Sequence, residues 1–414
     1  MDKTAEELLR EREKRVNDAI ALEQPDRVPI VCLFGFFPAK CAGMTYQEAM
    51  YDYDKTMNAW VKAMTQFAPD MYDDPFPGRF WGRIFEELDF KQLKWPGPCT
   101  RPMSTFQFVE NEYMEELEYD HFLSDPTDFM LRRYWPRIFG ALKPLENFPA
   151  VKTIYSYNWI GKLASLDTAA FWEAVEHFLA AVKEARKMVA GSEEYAGRME
   201  QLGFPPQFGC ATHAPFDVIS DFFRGTKGAM LDMYRRPEKL LEAVERMLPV
   251  MLQNGLVAKQ RGVARVFIPL HKGIDGFMSQ AHFNTFYWPT LRKLILSLID
   301  EGLNPVVFWE GDCTSRLKTI GDIPPGKAVY MFERTDIFKA KEVLGDVVCI
   351  RGNVPLSILS TGTPDDVKGY CKKLIDRIGK NGGFIMDSST VLDDAKAENV
   401  KAMFEFTKEY GRYS

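Results

Sequence analysis

The sequence predicts an α/β protein, a (β/α)8 barrel of the TIM type with a large insertion after its second strand. Three observations predict it: eight short continuous apolar runs recur along the 414 residues, helix-forming stretches separate most of them, and the rhythm breaks between residues 77 and 200. A continuous apolar run describes a strand buried on both faces, as in a parallel sheet covered by helices. Eight strand-helix units are what barrel closure requires. No GxGxxG follows a strand and no GxxxxGK[ST] occurs, which lowers the readings of an open doubly wound sheet for dinucleotides or nucleotides.

The elements follow in order. Residues 4–20 read as a helix, with Thr4 as N-cap and Glu7 at capping-box spacing. VPIVCLF (28–34) is the first strand, a helical segment spans about 45–67, and a short second strand lies near 69–74. Residues 77–200 hold prolines, aromatics and acidic patches such as NEYMEELEYDHF, with helices expected near 126–142 and 168–190. This region reads as a mostly helical insertion covering one end of a single barrel domain, 1–414. A strand at PPQFGCAT opens the regular part, followed by helices near 216–234 and 235–262. The remaining strands are ARVFIPL (264–270), NPVVFW (304–309), AVYMF (328–332), VVCIRG (347–352) and GGFIMD (382–387). Thr363 as N-cap, Pro364 at the first helical position and the acids Asp365 and Asp366 predict a helix start there.

Composition excludes several classes. A formal charge of −6 and no basic run argue against nucleic acid. The longest apolar stretches fall far short of the roughly 20 residues of a membrane helix. The charged, helical N-terminus lacks the apolar core of a signal peptide. Seven scattered cysteines without CxxC spacing suit reduced thiols, and a cytoplasmic location is expected. The 31 Phe, 16 Tyr and 8 Trp suit a large core, or a wide apolar pocket.

A barrel carries its chemistry at the C-terminal strand ends and the loops after them. Those positions hold Asp73 and Asp74, His213, His271 with Lys272 and Asp275, then Glu310, Asp312 and Cys313. Glu333, Arg334 and Asp336 follow, then Arg351 with Asn353, and Asp387 with Ser388. Glu310, Asp312, His213, His271 and Asp275 are the expected catalytic groups, and Asp74, Arg334, Arg351 and Asn353 the expected substrate contacts. Glu310, Asp312 and Cys313 crowd one strand end, which calls for a cation or for proton sharing. Zinc accepts all these ligand types, so Glu310, Asp312 and Cys313 are the expected metal ligands.

Several phrases resemble the uroporphyrinogen decarboxylase superfamily: ALEQPDRVPI, APFDVISDFFRGTKGAMLDMYRRPEKLLEAVE, IDGFMSQAHFNTFYWPTL, RGNVPLSILSTGTPDDV and GGFIMDSSTVLDDAKAENVKAM. The resemblance covers about 25–75 and 200–410 and implies a (β/α)8 barrel, in agreement with the strand count. Decarboxylases of that family carry an arginine-rich N-terminal motif, whereas CLFGFFPAKCAG here holds no arginine, which argues against a substrate with many carboxylates. The other branch carries out corrinoid-dependent methyl transfer, and its thiol-methylating members bind zinc through H-x-C after the fifth strand and a Cys after the eighth. Glu310-Gly311-Asp312 stands where H-x-C would be, Cys313 one place later, and Asp387 or Thr390 near the later Cys, so the resemblance adds Asp387 to the expected metal ligands. Two sulfur ligands are therefore missing. The resemblance implies a methyltransferase moving a methyl group from an O-methyl donor, such as a methoxylated aromatic, to a cobalt(I) corrinoid protein. The alternative is decarboxylation of a small aromatic or pyrrolic acid. No D-x-H-x-x-G motif occurs, so the corrinoid is expected on a partner protein. The insertion is expected to shape the barrel mouth or a homodimer contact.

Overall fold

The computed structural model describes residues 3–76 and 80–413. The first three residues of the expected insertion, 77–79, lie outside them. Strands β1 (Leu93–Lys94) and β2 (Gln107–Phe108) pair antiparallel within the insertion. The main sheet is parallel and runs in chain order: β3 (Cys210–Ala211), β4 (Arg265–Leu270), β5 (Asn304–Trp309), β6 (Val329–Phe332), β7 (Cys349–Arg351) and β8 (Phe384–Ile385).

The two expected strands at 28–34 and 69–74 close the ring through single parallel bridges, Ile30 to Met386 and Tyr72 to Pro206. The Asp70 amide donates to the Ile30 carbonyl at 2.8 Å, joining the two staves. These staves are less regular than the sequence predicts because carboxylates take their ladder donors. Ile30 N–H donates to Asp70 and Phe34 N–H to Asp73, at 2.7 and 3.1 Å. The fold is therefore the (β/α)8 barrel.

Side chains alternate along a strand, so every second residue faces the barrel axis. Val31, Met71, Val306, Val329, Cys349 and Ile385 form one inner layer. The helix Ala5–Ile20 closes it from below with Val16, Ala19 and Ile20. Thr4 and Glu7 form the expected capping box that starts this helix. Above lies a second layer of Leu33, Phe308 and Met331 with Phe208, Phe267 and Val391. Two residues further on the same alternation brings Glu310 and Glu333 to the axis, so carboxyls lie just above the aromatic side chains, in whose layer the Arg351–Asp387 pair is also buried.

The insertion is mostly helical and ends in one helix, Ala169–Gln201, longer than the 168–190 the sequence predicts. It reaches the C-terminal end of the barrel through Glu110, whose carboxylate lies 3.4 Å from Lys272 Nζ just after β4. Behind it the Met114 amide donates to the Phe223 carbonyl, and Tyr119 hydroxyl donates to Asp232, both at 2.7 Å. No helix of the described residues is long and apolar enough to cross a membrane.

Candidate active site

The site begins with a distorted helix. After His213 the chain runs Pro215–Asp217 as α-helix and Val218–Arg224 as π-helix, before resuming α-helix at Gly225–Arg235. Pro215 sits in the first turn, where its missing N–H costs nothing. Their spacing of four puts Asp217 and Asp221 on the same side of this helix, against the loop after β4. Asp217 is fully buried there and accepts from His271 N–H at 2.9 Å, Lys272 N–H at 3.1 Å and Tyr287 hydroxyl at 2.8 Å. It pins the β4 loop in place. Gly273 is required at this point, because a Cβ there would lie 2.7 Å from the Tyr287 ring.

Held in this way, His271 donates from Nδ1 to Asp221 at 2.5 Å and turns Nε2 toward Glu310 Oε1, 3.7 Å away. Burial opposes charge on the imidazole, yet the Asp221 hydrogen bond and the nearby carboxylates prevail and raise it to about 9. Lys272, 3.3 Å from Asp221 and 2.9 Å from Thr226 hydroxyl, adds positive charge and helps hold Asp221 below the usual carboxylate range, against burial. Glu310 behaves oppositely. Burial, aided by Glu333, Asp217 and Asp221, pushes it up to about 7 although the His271 charge pulls it down. His213 is lowered to about 4, first by burial and then by the His271 charge, and its ring stands edge-on to Phe222. At neutral pH the mouth thus holds an imidazolium, a neutral imidazole and a glutamic acid near half-protonation.

Below Glu310 the second barrel layer forms an apolar floor. Phe208 and Phe267 stack at 4.8 Å between centroids, and Phe267 meets Phe308 at 6.3 Å. An acid directly above a partly open aromatic surface is suited to protonating an apolar or aromatic ligand.

Other expected site residues have different tasks. Asp312 turns away and accepts from Thr314 amide and hydroxyl at 2.9 and 2.6 Å, an Asx turn that starts the next helix. Asp275 latches two loops, accepting from Ser315 amide and hydroxyl and from Arg316 at 2.8 Å. Cys313 is fully buried beside Thr335, and burial pushes its thiol up to about 12. Asp387 is buried with Arg351 at 2.7 Å, and Arg351 also holds Gln207 beneath the Phe208 ring. Asp74 accepts from Ser192 of the long insertion helix and from Phe76 N–H. Arg334 is exposed at the rim, 3.5 Å from Glu333, whereas Asn353 is buried and accepts from Tyr370 hydroxyl at 3.3 Å.

The expected ligand set Glu310, Asp312, Cys313 and Asp387 therefore does not converge. Among the described residues no three His, Cys, Asp or Glu side chains form a group that could hold a metal ion. This donor set does not fit zinc, because the Asp312 carboxylate is held in a turn, Asp387 is paired with Arg351, and the Cys313 thiol is buried against Thr335. Sequence reasoning brought forward His271 and Glu310 but missed Asp217, Asp221 and Tyr287. The available signal was the pair of acids four residues apart in APFDVISDFF, directly after His213.

Comparison with known proteins agrees with this architecture. A solved methyltransferase from Methanosarcina mazei superposes over 99% of both chains with a TM-score of 0.60 at 15% identity, a likeness of fold. Uroporphyrinogen decarboxylases from Chlorobium phaeobacteroides and Chlorobium luteolum are 25% and 33% identical over 182 residues, or 43% of this chain. The chain spans about half the length, 51%, of these curated relatives. The family model for uroporphyrinogen decarboxylase (URO-D) matches residues 146–410, including 146–200, for which the sequence offered no match by eye. That match spans every residue from His213 to Glu333 that shapes the mouth, and with the eight-stave barrel it establishes that the chain belongs to the uroporphyrinogen decarboxylase family.

Proposed function

We propose that this protein transfers a methyl group from an O-methyl donor, in particular a methoxylated aromatic, to a corrinoid carried by a separate protein. The observation that carries the reading is Glu310: a carboxyl raised to about 7, above an aromatic floor and beside the His271 imidazolium. The reduced corrinoid is a co-substrate and supplies the nucleophile that accepts the methyl group. The protein's part is binding and proton delivery. Phe208, Phe267 and Phe308 hold the ring by stacking and apolar contact. As the methyl–oxygen bond breaks, its electron pair stays on oxygen, and Glu310 gives that oxygen its proton, so a phenol leaves. Solvent then returns a proton to Glu310, while Asp221 keeps the neighbouring His271 imidazolium charged and in place.

A methoxyarene incubated with the enzyme and a reduced corrinoid protein should release the phenol and yield methylated corrinoid in equal amounts. Glu310→Gln should lower the rate roughly 100- to 10,000-fold, the usual contribution of a positioned acid. The wild-type rate should be flat below pH 7 and fall above it, as the acid form is lost. Absence of phenol under these conditions would count against the reading.

Decarboxylation of a small aromatic or pyrrolic acid is the second reading, favoured by the same acid, which also suits protonation of a carbanion. It would need cations free to bind carboxylate. Lys272 is engaged by Asp221 and Glu110, and Arg351 by Asp387, which weighs against it. Carbon dioxide release without corrinoid would reverse the ranking.

A further inference from the structure

The insertion helix Ala169–Gln201 carries two apolar faces. One packs inward through Ala174, Ala181, Tyr195 and Met199. The other faces solvent: Trp172, Leu179, Val182 and Val189 are 56%, 52%, 48% and 51% exposed. With Val175 and Arg186 these residues recur at alternating spacings of three and four, the seam of a coiled coil without a partner helix. Trp159 and Ile160, on the short helix just before, are exposed as well. An open apolar surface this extended marks an interaction site.

We infer that this face pairs antiparallel with the same face of a second copy of this chain, about a two-fold axis between Leu179 and Val182. The stripe is self-complementary under that operation. Trp172 meets the partner's Val189, Val175 the partner's Arg186, and Leu179 the partner's Val182, and each contact occurs twice, as an isologous interface demands. The flanking charges obey the same symmetry. Glu173 and Glu176 lie in the first half and Lys183 and Arg186 in the second, where Lys187 is paired with Glu184. Among the described residues Glu173, Glu176, Lys183 and Arg186 are exposed and form no ion pair, and antiparallel pairing sets each acidic half against a basic one. Arg186 within the seam is the kind of polar residue that selects one register. A standard interface buries about 800 Å² per partner. A seam of roughly five helical turns, flanked by Tyr155, Tyr157, Trp159 and Ile160, spans that scale.

Light scattering on the full chain at micromolar concentration should give twice the 47.5 kDa chain mass. Leu179→Asp with Val182→Asp should halve the observed mass and leave the circular dichroism spectrum unchanged. A gentler pair of variants covers the case in which that protein fails to fold. Glu176→Arg should weaken the dimer at least tenfold, and adding Arg186→Glu to the same chain should restore it. A monomeric wild type, or a dimer that none of these substitutions weakens, overturns the inference. Weakening without restoration by the charge swap overturns the antiparallel register.

Discussion

Three side chains decide what the mouth does, and each owes its behaviour to its neighbours. Glu310, His271 and Asp221 are ordinary residues whose proton affinities are spread apart by burial and by one another. Asp221 is a positioning residue: its 2.5 Å bond orients the His271 ring and stabilises its charge. The sign of the resulting pH dependence follows directly. His271 is raised from 6.5 to about 9, so its contribution to stability is fully present below pH 6.5 and is lost as pH rises through 9. Asp221→Asn should flatten that alkaline decline in melting temperature between pH 6 and 10. It should also move any imidazole-dependent limb of the rate profile toward pH 6.5. Melting curves of the two proteins that fall in parallel across this range would show that Asp221 does not hold the proton on His271.

At the scale of elements, the site is the work of loops that start where strands stop. Strand β5 ends at Trp309, and Gly311 then turns with φ +82, a backbone conformation L side chains rarely adopt. A Cβ at this position would also lie 2.9 Å from Ile274, on the loop that carries His271. Gly311→Ala should therefore disturb two catalytic loops at once. We expect a loss of about 1–3 kcal/mol in urea unfolding and a fall in rate larger than the unfolded fraction explains. The acid pair at the start of the distorted helix is the second device of this kind, since a spacing of four places the Asp217 and Asp221 carboxylates on one face, toward the loop after β4.

Across the whole molecule, stability and chemistry are kept at opposite ends of the barrel. At the base, fully buried Asp70 accepts from Arg15 and Arg27, both at 2.7 Å, and from the Ile30 amide. It ties the first helix to the two irregular staves. Asp70→Asn leaves two arginines without their shared anion and should cost roughly 3–5 kcal/mol in chemical denaturation, the range for a broken buried pair. The kinetic constants of the folded fraction should not change, because the mouth lies two side-chain layers away. These cations hold Asp70 below the usual carboxylate range despite its burial. Its stabilisation is therefore present above pH 3.8 and is lost as pH falls through the lower folded value.

The barrel was legible in the sequence because its signals are local. Apolar runs such as NPVVFW, helix caps such as Thr4 and Thr363, and the glycines at 382 and 383 state their conformations within a few residues. His271 and Glu310 were legible for the same reason, being ionisable groups at predicted strand ends. Which strand-end groups act together was decided only in three dimensions. Asp312 and Cys313 follow β5 within a few residues as Glu310 does, and Asp275 follows β4 as His271 does, yet hydrogen bonds to neighbouring loops turn them to capping and burial. Strand alternation sends Glu310 inward above Phe308, and a helix 90 residues earlier supplies the two aspartates that set the charge of its neighbour. Short-range propensity determines the element; only packing between distant segments determines the proton affinity at its end.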